Sequence, residues 1–196
     1  MATLFVDKLD PQSGTALEIG TSGDTITIPS GATIVNSGTA TGFGETLKPA
    51  FDIRLNAYQT ISSASNTKVT LDVAAVDTDS GFDAGNNRWT VPSGKGGTYF
   101  VAYSLFCDTG ANANFEYADV NLSVNGTATL AAICDNRSNN GRQFSITQQG
   151  VLALSASDYL ELFGTISDSS GSPQFGGGSS GGERYKTHMC GFKLFD

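Results

Sequence analysis

Length, composition and charge already limit what this chain can do. Its 196 residues carry a formal net charge of −8, and only 15% of them are charged. An ordinary soluble domain has roughly 25% charged residues, so this low fraction, with abundant glycine and β-branched residues, indicates an all-β protein. The acidic balance disfavours nucleic acid as a partner, and no apolar run is long enough to span a membrane.

The cysteines and the N-terminus bear on the compartment. The chain has three cysteines, Cys107, Cys134 and Cys190, and no CxxC motif. Their odd number argues against a disulfide framework. We therefore expect buried, reduced thiols that pack as small hydrophobic groups. The first residues lack the basic and apolar regions of a secretory signal, so we expect the protein to be made and folded in a cytoplasm; the alternative is an export route that does not use an N-terminal signal.

The N-terminal part of the chain differs in amino-acid composition from the rest. Residues 1–46 contain no Tyr, Trp or Cys and are rich in Thr, Gly, Ser and Ile. Two β-like pieces, residues 25–28 and 32–35, are joined by a Pro-Ser-Gly turn. Pieces this short do not form a stable sheet alone, so a partner is needed. We predict a β-rich arm and linker over residues 1–48 and a separate domain over residues 49–196.

In the second part, short apolar segments alternate with turns about every ten residues, which is typical of a β-sandwich or barrel. Asn125-Gly126 is the preferred pair for a type I′ hairpin turn. No segment has a period of 3.6 residues, so almost no helix is expected. The predicted strands are residues 50–55, 68–74, 87–91, 98–107, 117–124, 128–134, 143–147, 151–154, 159–165 and 187–195.

The strand at residues 98–107 is apolar on both faces. One face carries Tyr99, Val101, Tyr103, Leu105 and Cys107, and the other carries Phe100, Ala102, Ser104 and Phe106. In a two-sheet sandwich the second face normally meets water, and exposed phenylalanines there usually mark an interface. We predict that Phe100, Ala102 and Phe106 contact other subunits; the alternative is a loop of the same chain that covers them.

Around this strand the chain resembles a known family. Leu71, Asp77, Phe82 and Trp89 are followed by Gly97-x-Tyr99-x-Val101-x-Tyr103, and three further segments agree: PAFDIRL at 49–55, SDYLEL at 157–162 and MCGFKLF at 189–195. The pattern is similar to the globular-head domain of complement component one, subcomponent q, which shares its fold with the tumour-necrosis-factor cytokines. Leu71 and Val101 depart from it, since the family has Phe at both places.

This resemblance covers residues 49–196 and implies a ten-stranded jelly-roll sandwich that forms a compact homotrimer. It also implies a set of residues whose role is packing rather than chemistry: Asp77, Phe82, Trp89, Gly97, Tyr99, Tyr103, Gly191 and Phe192. The N-terminal segment resembles those near the start of bacteriophage fibre and other virion proteins. That second resemblance implies an arm that binds a capsid or tail protein.

No motif indicates catalysis or a cofactor. His188 is the single histidine, and no GxSxG motif or His/Cys cluster accompanies it. Asp77, Asp79 and Asp83 leave a calcium site in their loop open, although the EF-hand spacing is not met. Long polar loops at 107–119, 134–144 and 167–185 suit hydrogen bonding to sugars or to a protein surface, or they are simply solvated. Their arginines, Arg137, Arg142 and Arg184, are the candidate receptor contacts.

Together these features predict a non-enzymatic structural protein of a bacteriophage virion. It would be a trimeric capsid decoration or short fibre, made in the host cytoplasm and exposed on the particle. Three equal sets of loops could engage host-surface glycans with avidity. The alternative is an extracellular bacterial adhesin or a lectin-like carbohydrate-binding module.

Overall fold

The computed structural model describes residues 9–38, 47–110, 115–137, 141–169, 172–177 and 186–195. The chain divides into two compact units, Met1–Phe43 and Gly44–Asp196. Within the described residues there is no helix, and hence none that could cross a bilayer. The all-β composition therefore predicted the class of fold correctly.

The first unit has turns but no strands over residues 9–38. The Asp24 carboxylate accepts hydrogen bonds from the backbone N–H and the hydroxyl of Thr21, at 2.7 and 3.0 Å, and these bonds hold the pKa of Asp24 below its usual range. The predicted β-like pieces at 25–28 and 32–35 are thus not paired strands. Neither piece has a neighbouring strand to bond with, and both are too short to hold the conformation alone.

The second unit contains thirteen strands in its described part, of which eight have five or more residues. They are β1 (Ala50–Arg54), β2 (Gln59–Thr60), β3 (Thr67–Lys68), β4 (Val73–Asp77), β5 (Phe82–Asp83), β6 (Arg88–Thr90), β7 (Gly97–Asp108), β8 (Phe115–Val124), β9 (Thr127–Asp135), β10 (Gln143–Leu154), β11 (Tyr159–Asp168), β12 (Gln174–Phe175) and β13 (His188–Phe195). The strand count therefore differs from the ten expected, because four of the strands, β2, β3, β5 and β12, are pairs of only two residues in the connecting segments.

These strands form two antiparallel sheets. Sheet I has the order β2-β12-β7-β13-β1-β4, and β10 pairs with β7 along its whole length. Sheet II has the order β5-β6-β11-β8-β9, with β3 paired to β11. Alternate residues of each sheet face the space between them, so the two sheets enclose a single sandwich core.

Three of the predicted strands are corrected by this topology. Residues 68–74 are not one strand, because the chain crosses there from sheet II to sheet I: the Val69 N–H bonds to Leu162 and the Asp72 N–H to Arg54. Residues 143–147 and 151–154 form one strand, β10. Gly150, which lies between the two predicted strands, continues β10 and allows close packing, since a Cβ there would lie 2.9 Å from the Leu130 side chain.

Aromatic side chains join the sheets at the centre of the core. The Trp89 ring stacks on Phe51 with centroids 4.1 Å apart and meets the edge of Tyr99 at 5.9 Å. The buried Tyr103 hydroxyl shares its single proton between the carbonyls of Val120 and Leu130, at 3.3 and 3.2 Å, and burial raises the Tyr103 pKa to about 12. This strand of sheet I is thereby bonded to two strands of sheet II.

The β8–β9 hairpin turns as predicted. Asn125 and Gly126 have φ of 52° and 81°, the positive values that a type I′ turn requires. The Asn125 side chain also accepts a hydrogen bond from the Tyr159 N–H at 3.0 Å and donates one to Asp158 at 2.7 Å. The turn is thus held both by its own backbone preference and by the start of β11.

No disulfide joins the three cysteines, but only Cys107 is fully buried. Its thiol pKa is raised by burial. Cys134 and Cys190 are half-buried, so the expectation of three buried thiols is correct for one and wrong for two. Cys190 lies on the outward face of β13, opposite Ala102 and Asp52 on the neighbouring strands, which explains its partial exposure.

Candidate assembly surface

The outward face of sheet I is built around β7. Tyr99, Val101, Tyr103, Leu105 and Cys107 point into the core with at most 2% exposure. Because side chains alternate along a strand, Phe100, Ala102 and Ser104 point away from the core, and all three are half-buried. The sequence thus predicted the inward and outward faces of this strand correctly.

An apolar row crosses this face. Val151 of β10, Phe100 of β7 and Phe192 of β13 lie side by side in register, and the rings of Phe100 and Phe192 are 5.5 Å apart. Val151 is 60% exposed, and Phe195, near the end of β13, is 57% exposed. Within the second unit as described, the row is therefore left partly open to solvent.

Phe106 is a correction to the predicted interface. Its side chain is only 5% exposed, although it belongs to the same face of β7 as Phe100. The Lys186 ammonium lies 4.1 Å from the centre of its ring, and Gly176 packs so closely against the ring that no Cβ would fit. The chain itself covers Phe106, as the alternative prediction held, and the accessible part of the surface lies around exposed Val151 and half-buried Phe100 and Ala102.

A cluster of three polar residues, Asp52, Arg54 and His188, borders the apolar row. Asp52 accepts hydrogen bonds from the Arg54 guanidinium, and His188 Nδ1 lies 3.3 Å from Asp52 Oδ1. Burial acts to raise the pKa of Asp52, but the contacts with His188 and Arg54 outweigh it, and the pKa lies below its usual range. Charged groups on this face thus compensate one another within the chain.

A hollow of about 350 Å³ lies where β10, β7 and β13 run side by side. It is lined by Ala102, Tyr103, Ser104, Thr147, Gln148, Gln149 and His188. Hydroxyl and amide groups make up about half of its walls, so the surface combines an apolar row with a partly polar depression. Protein interfaces have this composition, with a dry apolar centre and hydrogen-bonding groups around it.

The remaining residues of the resemblance fall into two groups. Trp89, Tyr99 and Tyr103 are core residues. Gly97 has a φ of +149°, which an L-residue rarely adopts, and a Cβ on Gly191 would lie 2.6 Å from the Phe100 carbonyl. Phe192 differs from the expectation, because it is half-buried on the outward face beside Phe100.

The acidic loop is organised by hydrogen bonds within the chain. The Asp77 carboxylate accepts bonds from the N–H groups of Gly81 and Phe82 at 3.0 Å each, and from Trp89 Nε1 at 3.3 Å. Asp79 faces Lys95 at 3.5 Å, and Asp83 binds Asn86. Among the described residues, no three acidic, histidine or cysteine side chains converge as a metal site would require.

Two of the three candidate receptor arginines are paired with carboxylates of their own chain. Arg137 lies 3.6 Å from Asp135 and above the Tyr117 ring, and Arg142 lies 3.6 Å from Asp108. Arg184 lies outside the described residues. The two described arginines belong to the connection between β9 and β10, so they sit at one end of the sandwich.

The fold class can now be compared with solved proteins. The sandwich is similar to the structure titled "Globular Domain of Zebrafish Complement 1qA protein", with a TM-score of 0.53 and 16% sequence identity. The match covers 76% of this chain and 98% of that one. Identity at this level establishes a shared jelly-roll fold and nothing more specific. No family model and no curated protein matches the chain.

Sequence reasoning missed several residues of this surface. Val151 was assigned to a strand but not to a face, because its facing depends on the register with β7. Asp52 and Arg54 alternate with buried Phe51 and Ile53, so their period of two did mark them as outward residues. Nothing in the sequence placed His188 beside them, since 136 residues separate His188 from Asp52.

Proposed function

We propose that this protein is a non-enzymatic structural protein on the surface of a bacteriophage virion, with a homotrimeric jelly-roll domain. Residues 49–196 form the projecting trimer, and residues 1–48 attach it to a capsid or tail protein. The observation that carries the proposal is the partly open apolar row on the outward face of sheet I, in which exposed Val151 lies in register with half-buried Phe100 and Phe192.

The row supports association because contact of its apolar surface with water is unfavourable, and a subunit interface would remove that contact. Val151 is 60% exposed although a strand residue at this position could be polar without cost to the core. Burying apolar surface yields about 25 cal/mol per Å², and exposed apolar patches of this kind usually mark interfaces. A partner in the form of identical copies agrees with the homotrimer that the complement-head resemblance implies.

The first unit supports an attachment role. Ile26, Ile28, Ile34 and Val35 are 47–83% exposed, although such side chains are normally buried. They belong to the two β-like pieces that lack partner strands within the described arm. Another protein, or another copy, that supplied a sheet edge would satisfy both the backbone groups and the apolar side chains.

The trimer is tested by light scattering on the full chain and on Val151→Asp. We expect the wild type at three times the chain mass and the variant at the chain mass, because an aspartate in an apolar interface would lose its hydration without gaining a partner. Val151 projects outward and is 60% exposed, so the fold of the single chain should survive the change. A wild type that stays monomeric at high concentration would refute the trimer.

Ile133→Asp is the matched control. Ile133 is also a β-branched strand residue, with 69% exposure, but it lies on β9 in sheet II. We expect this variant to remain trimeric. If both variants dissociate, the added negative charge alone causes dissociation wherever it is placed, and the apolar row is not the interface.

The arm is tested by mixing the protein with capsids or tails that lack it. We expect the full chain to bind them and residues 49–196 alone to stay in solution while still forming trimers. If the full chain binds no virion part but does bind bacterial surfaces, the adhesin is the better reading. A lectin-like activity is favoured by a separate feature of sheet II, described below.

A further inference from the structure

A second hollow lies on the outward face of sheet II, on the side of the sandwich away from the candidate assembly surface. Its volume is about 200 Å³, and it is lined by Asn66, Asn121, Ser123, Gly126, Ala128 and Phe163. The floor comes from β8, one wall from β11, and the rim from the β8–β9 hairpin and the segment before β3. We call it the sheet II pocket.

Ser123 is the unusual residue of the pocket. It is 2% exposed, and its hydroxyl is buried without a hydrogen-bond partner in the described chain. Most buried polar groups in folded proteins are paired, and an unpaired one costs stability. Ser123 lines the pocket, so a ligand or water bound there would supply the missing partner.

The other walls combine an aromatic ring with amides. Phe163 is half-buried and lies opposite Asn121 in the register of β11 and β8. The side-chain amides of Asn66 and Asn121 bond to no other described residue. Each amide offers both donors and an acceptor. The pocket therefore presents one flat apolar surface and several unused groups that bind hydroxyls.

The charge beside the pocket is compensated. Lys68 and Glu161, which flank Phe163 and Ser123 on the neighbouring strands, form an ion pair with Nζ and Oε1 2.5 Å apart. An ionic ligand would find no excess of opposite charge here. The pocket is also smaller than the usual 300–1,000 Å³ of sites for larger ligands.

From these features we propose that the sheet II pocket binds one sugar ring of a neutral saccharide. A pyranose has an apolar C–H face to lie on Phe163 and hydroxyls to bond with Ser123, Asn121 and Asn66. The site deepens the host-binding part of the proposed function and, in its biological role, rests on it. In a trimer joined through sheet I, three such pockets would remain exposed and could bind a repetitive glycan with avidity.

The test is a titration of the ¹⁵N-labelled full chain, followed by NMR, with four methyl glycosides in turn: those of glucose, galactose, mannose and N-acetylglucosamine. We expect at least one to cause saturable shifts at the Asn121 side-chain amide and at the backbone amides of Ser123 and Phe163. The absence of saturable shifts there with all four would overturn the proposal, and so would shifts confined to the β9–β10 loop.

Ser123→Ala separates a binding role from a structural one. We expect its affinity for that glycoside to fall about threefold to tenfold, the effect of one hydrogen bond, while its thermal midpoint stays equal or rises because an unpaired hydroxyl has been removed. Asn121→Ala should weaken binding similarly. Asn56→Ala, an exposed asparagine outside the pocket, is the matched control and should bind as the wild type. Unchanged affinity in Ser123→Ala would overturn the site.

Light scattering on the same samples keeps this inference apart from the proposed assembly. A monomer that binds the glycoside supports the pocket and refutes the trimer. A trimer that binds none of the four refutes the pocket and leaves the trimer supported.

Discussion

Asp119 shows how a single residue on the outward face of sheet II affects stability. Burial raises the pKa of this carboxyl, and the hydrogen bond from Thr165 only partly offsets that effect. The ionised form is thus less favourable in the folded chain than in the unfolded chain, where the pKa is about 3.9. At neutral pH the charge on Asp119 lowers the free energy of unfolding.

We therefore expect Asp119→Asn to raise the free energy of unfolding at pH 7, because the amide oxygen can still accept from Thr165 without a buried charge. The gain should fade as the pH falls through the raised pKa of the folded chain and be lost below about 4, where the carboxyl is protonated in both states. Urea unfolding at pH 7 and pH 3 measures it. A variant that is less stable than the wild type at pH 7 would contradict the assignment.

Asp52→Asn is predicted to lower the free energy of unfolding at pH 7, the opposite of the effect expected for Asp119→Asn. The pKa of Asp52 is lowered in the folded chain by His188 and Arg54, against the effect of burial. Its contribution to stability is present above the unfolded pKa of about 3.9 and is lost as the pH falls through the folded pKa. The variant should be less stable at pH 7 and nearly equal to the wild type at strongly acidic pH, in the same urea experiment.

At the scale of elements, the contact of β13 with β7 and β1 depends on a position without a side chain. A Cβ on Gly191 would lie 2.6 Å from the Phe100 carbonyl oxygen and 2.8 Å from the Phe51 ring. Both obstacles belong to a packed core, so neither can move without displacing a strand or the Phe51–Trp89 stack. Overpacking of this kind typically costs 1–3 kcal/mol.

We expect Gly191→Ala to lower the free energy of unfolding by about 1–3 kcal/mol in urea unfolding. Gly85→Ala is the control, because a Cβ there would meet only Asp83 at an ordinary distance of 3.4 Å, and its effect should be small. Equal losses of unfolding free energy in Gly191→Ala and Gly85→Ala would show that the loss comes from replacing a flexible glycine, and not from overpacking at Gly191.

For the whole molecule, the accessibility of Cys190 reports on assembly. Cys190 is half-buried on the outward face of sheet I, in the row of Ala102 and Asp52, and burial and Asp52 raise its thiol pKa. In a Cys134→Ala background, we expect Ellman's reagent to modify Cys190 faster in Val151→Asp than in the assembled protein. Cys107 should stay unmodified in both. Equal rates would contradict burial of this face between subunits.

Local patterns were enough for part of this fold. Strict alternation along β7 predicted which side chains enter the core, and Asn125-Gly126 predicted the hairpin turn. The break predicted between residues 147 and 151 was wrong, because Gly150 continues β10 and serves close packing against Leu130. The crossing of the chain at residues 69–72 was also missed, since it depends on which sheet each strand joins.

What the sequence determined by itself was the all-β class, the two faces of the central strand and the family of folds that it resembles. These properties rest on alternation, composition and turn chemistry, which act over a few residues. Only the tertiary structure decided that Phe106 lies beneath its own chain while Phe100 stays half-buried, that His188 meets Asp52, and that Ser123, Asn121 and Phe163 line one pocket. The physical reason is that strand order and register bring together residues far apart in the chain, and no short-range pattern encodes that pairing.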